Sequence, residues 1–442
     1  VSSPLSSPRL RRILLAYTVN RLGSWVGLVA LSLAVFDHTH SALAVAGLLF
    51  AWQAVPAFLV PAVVARVEAS VRRRELSGLY CFEAITTAAL AVLLWHFSLP
   101  AVLVLAALDG TAALAANALL RAEIARAGRE QATSEARPTD SEESVEELAQ
   151  EGERKANAAL NVAFSVAFVT GPVIGGLVVA AAGAPAALFI DVGSFLFCGA
   201  LLLDLHPHVE EAAGDSVAAR LRAAWTHVNE SPKLRALLIT EAIALLFIQA
   251  AGPIEVTFAK ATLHAGDSGY GLLVTAWGGG AVFASIIFAR AGRRPLGAIL
   301  SAGIFALGAA FIGFAVAPTL AVACVASFVG GVGNGLEWPS LISLVQRLTP
   351  QRLHGRLMGA VESLAALCLA VGLPLGGALV AISSTRAAFL IVGIGAAVTT
   401  AAFIRLTLRG LDPVAESSRG GPGAGSQPAQ ATGALSHEPA PE

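Results

Sequence analysis

Read for the alternation of apolar and polar positions, the chain consists of long apolar runs separated by short polar breaks. A helix needs about 20 consecutive apolar residues to cross a bilayer, because its backbone polar groups must all be satisfied within the segment. That ruler predicts twelve spans, near 13–35, 42–65, 75–95, 100–121, 157–181, 185–204, 235–258, 269–290, 295–315, 319–343, 356–380 and 385–407. The arginines and lysines give an independent check, since they concentrate on the cytoplasmic side of membrane proteins. With twelve spans, every one of them except Arg21, Lys260 and Arg386 falls before helix 1, in or at the edge of a break after an even-numbered helix, or at the end of the chain from Arg405 on. This pattern predicts that both termini are cytoplasmic.

The polar breaks divide the chain further. Residues 1–12 form a cytoplasmic N-terminus, 13–204 a first bundle of six spans, 205–234 a cytoplasmic linker, 235–407 a second bundle of six, and 408–442 a disordered cytoplasmic tail rich in Gly, Pro, Ala and Ser. Within the first bundle, 128–155 is read as an acidic cytoplasmic loop. Ser144 followed by Glu147 predicts a capped short helix through Glu153. Ala218 to Val228 has the amphipathic period of a helix lying on the membrane surface.

Composition narrows the class of function. Of 442 residues, 56% are apolar and 13% charged, about half the charge usual in a soluble domain. The net charge of −1 leaves no electrostatic footprint for a nucleic acid. Four cysteines, Cys81, Cys198, Cys324 and Cys368, lie far apart, so neither a disulfide framework nor a metal site is expected. Helix 1 is too long for the apolar core of a cleaved signal, and its pattern recurs eleven times.

Two short matches point to an internal duplication. Gly171-Pro172-Val-Ile-Gly175-Gly176 in helix 5 returns as Gly372-Leu-Pro-Leu-Gly376-Gly377 in helix 11, and Gly47-Leu-Leu with Arg66 nineteen residues on returns as Gly271-Leu-Leu with Arg290. Glycines spaced by four permit close helix approach, and proline removes a backbone donor, so helix 5 is predicted to be tightly packed and bendable.

These features resemble the major facilitator superfamily. The stretches Ala218 to Leu238, Ala156-Asn157-Ala158 and Leu353-His354-Gly355-Arg356 are similar to its macrolide-efflux and siderophore-exporter branch, and the likeness covers roughly residues 10–407. The resemblance implies an all-α membrane protein of twelve helices in two pseudo-symmetric six-helix bundles, working by alternating access. It implies export of amphipathic small molecules, with a proton gradient and no cofactor. The expected setting is a bacterial inner membrane, with the chain functional as a monomer whose partners are its small-molecule substrate and the bilayer. Gly171, Pro172, Gly175 and Gly176 match the end of the family's antiporter motif. Glu68 with Arg72, Arg73 and Arg74 matches its gating loop after helix 2, although Val64 and Val71 replace the usual glycines and Glu68 the aspartate. The acidic position of helix 1 in these exporters is Ser24 here.

Ionisable groups at bilayer depth cost roughly 2.5–3.5 kcal/mol each on insertion scales and therefore mark a cavity, a partner or the interface. Asp109 lies about 13 Å along helix 4, near the midplane, and is the first candidate for proton coupling. Glu83 in helix 3 and Asp191 in helix 6 follow. Glu241 and Glu255 in helix 7 share a face about 21 Å apart, suited to opposite ends of a pathway or to two interfaces. Glu337 and Glu362 could pair with Arg347 or Arg356. Arg21 either snorkels to the surface or faces a cavity as a cation for an anionic group. Trp25, Phe50, Trp52, Phe247, Trp277 and Trp338 could line a pocket.

Other readings stay open at this level. One is a lipid or lysolipid flippase of the same superfamily. Another is a non-transporting binding or assembly protein. The third, a membrane hydrolase using Ser268 and His264, lacks a visible orienting group for a triad. Gly331-Val-Gly333-Asn-Gly335 lacks the lysine and strand context of a phosphate loop, and helix packing accounts for it better. His38, His40, His206 and His208 have too few neighbouring ligands for a metal.

Overall fold

The computed structural model describes residues 7–59, 75–134, 141–203, 228–290, 295–350 and 353–407. Twelve long helices run through them. In the first half these are α1 (Pro8–Thr39), α2 (Ala42–Leu59), α3 (Glu75–Leu93), α4 (Leu99–Thr133), α5 (Glu142–Ala182) and α6 (Ala184–Leu201). In the second they are α7 (Pro232–Thr257), α8 (Gly266–Arg290), α9 (Leu296–Val316), α10 (Leu320–Arg347), α11 (His354–Ile382) and α12 (Thr385–Thr407). Eleven are long and apolar enough to cross a membrane, and the twelfth has a shorter apolar stretch over Thr385–Thr399. Large apolar side chains such as Ile85, Trp95, Val104, Phe305 and Val325 point outward, as lipid-facing groups do.

The helix starts follow local chemistry. The hydroxyls of Ser7, Ser41, Ser141, Ser231 and Thr319 each accept a hydrogen bond from the backbone N–H three residues on, at 3.3–3.4 Å, which satisfies a donor the first turn leaves free. At the α5–α6 corner Gly183 turns the chain with φ +82°, a conformation that suits glycine.

Most of the described residues of the predicted acidic loop 128–155 are helical, while 135–140 lie outside the described residues. Both flanking helices extend into it: α4 runs to Thr133, and α5 starts at Glu142 under the Ser141 cap rather than at Ser144 or residue 157. The two meet where neither carries a side chain. A Cβ on Gly128 would lie 2.7 Å from Gly152 O, and Gly152 in turn is pressed on Gly128 O. Ion pairs hold the extension: Arg129 with Glu146 (2.9 Å) and Glu153 (3.3 Å), Arg126 with Glu130 (2.7 Å), and Arg9 of α1 with both Glu123 and Glu130. The acidic residues thus pair with arginines, across helices for Arg9 and Arg129 and within α4 for Arg126. The gating-loop residues Glu68 and Arg72 to Arg74, the tail, and nearly all of the amphipathic stretch and the linker lie outside the described residues.

The helix contacts repeat between halves. Pairs α1·α5, α1·α6, α3·α6, α3·α4 and α2·α4 recur as α7·α11, α7·α12, α9·α12, α9·α10 and α8·α10, and the halves meet through α5·α8 and α2·α11. The repeated glycine motif explains this geometry residue by residue. Gly171 and Gly175 lie against α1 of their own half, where a Cβ on Gly175 would sit 3.1 Å from Val26 Cα. Gly372 and Gly376 lie likewise against α7. The last glycine of each copy faces the opposite half. A Cβ on Gly176 would be 2.9 Å from Asp267 O and 3.2 Å from Gly271 Cα of α8, and one on Gly377 would be 3.0 Å from Leu43 Cα of α2.

These two interfaces lie toward the face opposite the arginines. Further along the α5–α8 interface, the Thr275 hydroxyl of α8 donates to Val169 O at 3.0 Å and Gly278 lies against Phe168 O. The neighbouring glycines Gly175 and Gly176 therefore make separable predictions. Gly175→Val forces α1 and α5 apart inside one half and lowers thermal stability, by about 1–3 kcal/mol as overpacking does. Gly176→Val leaves each half intact and parts α5 from α8, which spin-label distances across that interface would read as widening with little loss of melting temperature.

Candidate substrate cavity and buried carboxylates

Between the halves lies a cavity of about 630 Å³. That is within the size range of small-molecule sites. Arg21, Ser24, Trp25 and Leu28 of α1, Trp52, Gln53, Pro56 and Ala57 of α2, and Gly110, Ala113, Leu114 and Asn117 of α4 line it from the first half. Gln249 of α7 and Glu362, Ser363, Ala365, Ala366 and Leu369 of α11 close it from the second. The wall is mostly apolar, with a cation on one side and a carboxylate on the other. Arg21 lies over the Tyr17 ring, 5.5 Å from its centroid, and its Nε has no hydrogen-bond partner. It therefore belongs to the cavity wall rather than to the surface.

Of the aromatic residues expected at a pocket, Trp25 and Trp52 line this one. The others serve packing: Phe247 lies under Gly395, Trp277 is wedged against Gly330 and Gly331, and Trp338 and Phe50 join core clusters.

Trp52 sits in a π-helical segment, Phe50–Ala54, inside α2. Such segments carry an extra residue per turn and often occur at functional sites. Here the Trp52 carbonyl is pressed on Gly110, a contact any side chain at 110 would block, and its indole Nε1 donates to Asp109 Oδ2 at 3.1 Å. Asp109 is 5% exposed and sits just behind the cavity wall. Its Oδ1 meets the hydroxyls of Thr86 (2.7 Å) and Thr87 (2.9 Å) of α3. The Thr86 hydroxyl is also 3.1 Å from Phe82 O and 3.0 Å from Glu83 O. With its hydrogen turned to those carbonyls, Thr86 accepts from a protonated Asp109. With it turned to Oδ1, Asp109 is an anion with three donors. Either protonation state is satisfied without moving a heavy atom.

The other sequence candidates are spread over both halves. Glu83 is fully buried in the first half with both oxygens unpartnered, and Asp191 is buried in α6, accepting from Ser194 Oγ at 3.1 Å. The Asp191 carboxylate occupies a niche that exists because Gly23 and Gly27 of α1 have no side chains. Glu255 lies in α7 beside Tyr270 of α8 and Cys324 of α10, with Oε1 unpartnered. The reading of Glu241 as an interfacial carboxylate fails, since it is 1% exposed within the second half, facing Glu337 of α10. Glu337 accordingly meets a carboxyl rather than Arg347.

At the face opposite the arginines, Lys260 of a second π segment, Phe258–Thr262, pairs with Asp267 of α8 in its own half (2.5 Å) and joins the halves through Asp37 of α1 (2.9 Å). Asp267 is thus engaged with Lys260, and the Ser268 backbone packs on Gly176, so the Gly266–Gly269 segment is a helix start at the interface. Gly331 and Gly333 pack against Trp277 of α8 and Gly303 of α9.

Comparisons with known proteins agree with this architecture. Residues 237–440 match the model of the Major Facilitator Superfamily. The nucleoside transporter NupG (D323A mutant) superposes with a TM-score of 0.72 over 90% of this chain and 99% of that one, at 12% identity. The chain has the major facilitator fold, and the family match covers its second half together with the segment that follows it. Proteins of that superfamily are transporters. A bacterial homologue of the iron transporter ferroportin, in an inward-facing state, has a TM-score of 0.63 at 17% identity, over 88% of this chain and 98% of that one. Among sequences, the multidrug efflux pump Tap of Mycobacterium tuberculosis is 31% identical over 258 residues, 55% of this chain and 59% of the pump. An uncharacterized MFS-type transporter of Bacillus subtilis, YfiS, is 26% identical over 238 residues, 50% of this chain and 56% of that one. Each match thus spans little more than half of the relative's length.

The partly exposed ion triad at Lys260 contributes about 0.2–1 kcal/mol per pair, less than the glycine interfaces it accompanies. Lys260→Gln should therefore shift the balance between open and closed forms of that face by no more than about fivefold per lost pair, as measured by distance distributions between labels on α1 and α8.

Proposed function

We propose that this chain is a member of the major facilitator superfamily and a secondary active transporter that exports amphipathic small molecules, drug-, macrolide- or siderophore-like, across a bacterial inner membrane by alternating access with proton antiport. The observation that carries the reading is the cavity between two repeated halves, apolar for the most part, with Arg21 and Glu362 on facing walls. Efflux relatives support the outward direction. The arginine-rich face is the cytoplasmic one by the positive-inside rule, so this conformation is closed outside and its cavity belongs to the inner side.

In the cycle, cargo enters from the arginine-rich face and packs on Trp25 and Trp52, with its charged group at Arg21 or Glu362. Asp109 loads and releases the counter-moving proton. Trp52 links the two events, since the same residue walls the cavity and donates to Asp109. Cargo that displaces its indole changes the partners of the carboxyl, and proton exchange at Asp109 changes the hold on the indole. Glu83, Asp191 and Glu255 are further proton-coupling candidates, and Glu68 with Arg72 to Arg74 retains its proposed gating role. The chain works as a monomer with both termini cytoplasmic.

Flux of a panel of amphipathic drugs in proteoliposomes tests this reading. An imposed proton gradient should drive it, and Asp109→Asn should abolish gradient-driven flux while retaining ligand binding. Arg21→Ala should weaken an anionic ligand by about 10- to 100-fold, the equivalent of the roughly 1.5–3 kcal/mol of a hydrogen bond to a charged group. Flux indifferent to a collapsed gradient would rule out antiport.

A further inference from the structure

The second half contains a pair of acidic groups that the cavity does not use. Glu241 of α7 and Glu337 of α10 are within hydrogen-bonding reach of each other. Glu337 is 0% exposed. Neither oxygen of Glu241 has a donor from any other side chain or from the backbone, and neither has Glu337 Oε1. The remaining oxygen, Glu337 Oε2, receives one long hydrogen bond from Asn334 Nδ2 at 3.5 Å.

The setting is apolar. Leu237, Leu238, Ala244, Leu300, Ile304 and Leu341 belong to the core cluster of this end of the half. Besides Glu337, the titratable group facing Glu241 is Cys368 of α11, whose Sγ donates to Ala242 O at 3.3 Å. Among the described residues no arginine, lysine or histidine is paired with either glutamate.

Two carboxylates held together in an apolar core repel, and neither has the donors that would stabilise an anion. A single proton between them supplies a donor to the remaining anion and turns repulsion into a charge-assisted hydrogen bond. A metal cation fits less well. Hard cations take six or more oxygen ligands, and no group of three acidic, histidine or cysteine side chains gathers around a common point among the described residues.

We propose that Glu241 and Glu337 form a proton-binding site that holds one shared proton, distinct from the Asp109 site in the other half. Its loss leaves two anions pressed between α7 and α10, so deprotonation loosens that contact. The effect reaches the cavity through the wall helices. Gln249 lies on α7, and Cys368, facing Glu241, precedes the wall residue Leu369 on α11. The site therefore senses protons in the half that Asp109 does not reach.

The test uses the full chain in nanodiscs and needs no transport. Infrared difference spectra between wild type and Glu241→Gln/Glu337→Gln should show one carboxylic-acid C=O band per molecule at neutral pH, shifted in D2O and lost at high pH. Each single Gln variant keeps a hydrogen-bonding pair and should stay folded, with the shared-proton band gone. Equal spectra for wild type and the double variant at every pH would overturn the proposal. So would a carboxylate-only signature that responds to sodium but not to pH. A chain that carried no drug in liposomes would still give the band, so failure of the transport reading is distinguishable from failure of this one.

Discussion

Two helices can approach to backbone contact only where side chains are absent, and this constraint organises the molecule. In α5 and again in α11, two glycines of the motif hold the helix on the first helix of its own half, and the third holds it on the other half. One short sequence thus fixes both the build of each bundle and the line along which the bundles meet. These contacts lie toward one face, and a cavity lies between the bundles.

Polar burial follows from the same economy of side chains. Gly110 admits the Trp52 carbonyl, which aims the indole at Asp109, while Gly23 and Gly27 make room for the Asp191 carboxylate. In both places an absent side chain permits an ionisable one to be housed inside a lipid-embedded bundle. The cost of burying these acids is met differently at each. Asp109 has three donors, Asp191 has one, and the Glu241–Glu337 pair has only its own members and a distant amide.

Hydropathy and charge placement made the twelve helices legible, because lipid demands length and apolarity of every span whatever its packing. The helix 5 and helix 11 repeat was legible for the same reason that it works, since glycine has no substitute at backbone contact. The extension of α4 and α5 was not, because acidic residues read as a loop until Arg9, Arg126 and Arg129 are seen beside them. The sequence placed Asp109 and Trp52 as separate candidates. What joins them, the π segment of α2, has no periodicity signature. The Gly23-x-x-x-Gly27 spacing opposite Asp191 and the Thr86-Thr87 pair were visible signals that could have found two of the partners. The Glu241–Glu337 contact depends on the rotation of α7 against α10, which no local pattern encodes.

The central claim is that the halves rock as bodies about a cavity that is closed at one face at a time. Paired spin-label distances test it most directly, one pair across α5 and α8 at the Lys260 face and one across the halves at the arginine-rich face. The account predicts that ligand and a proton gradient change the two distances in opposite directions, with matched populations. Distances that change together, or an outer pair that stays fixed while flux proceeds, would contradict it.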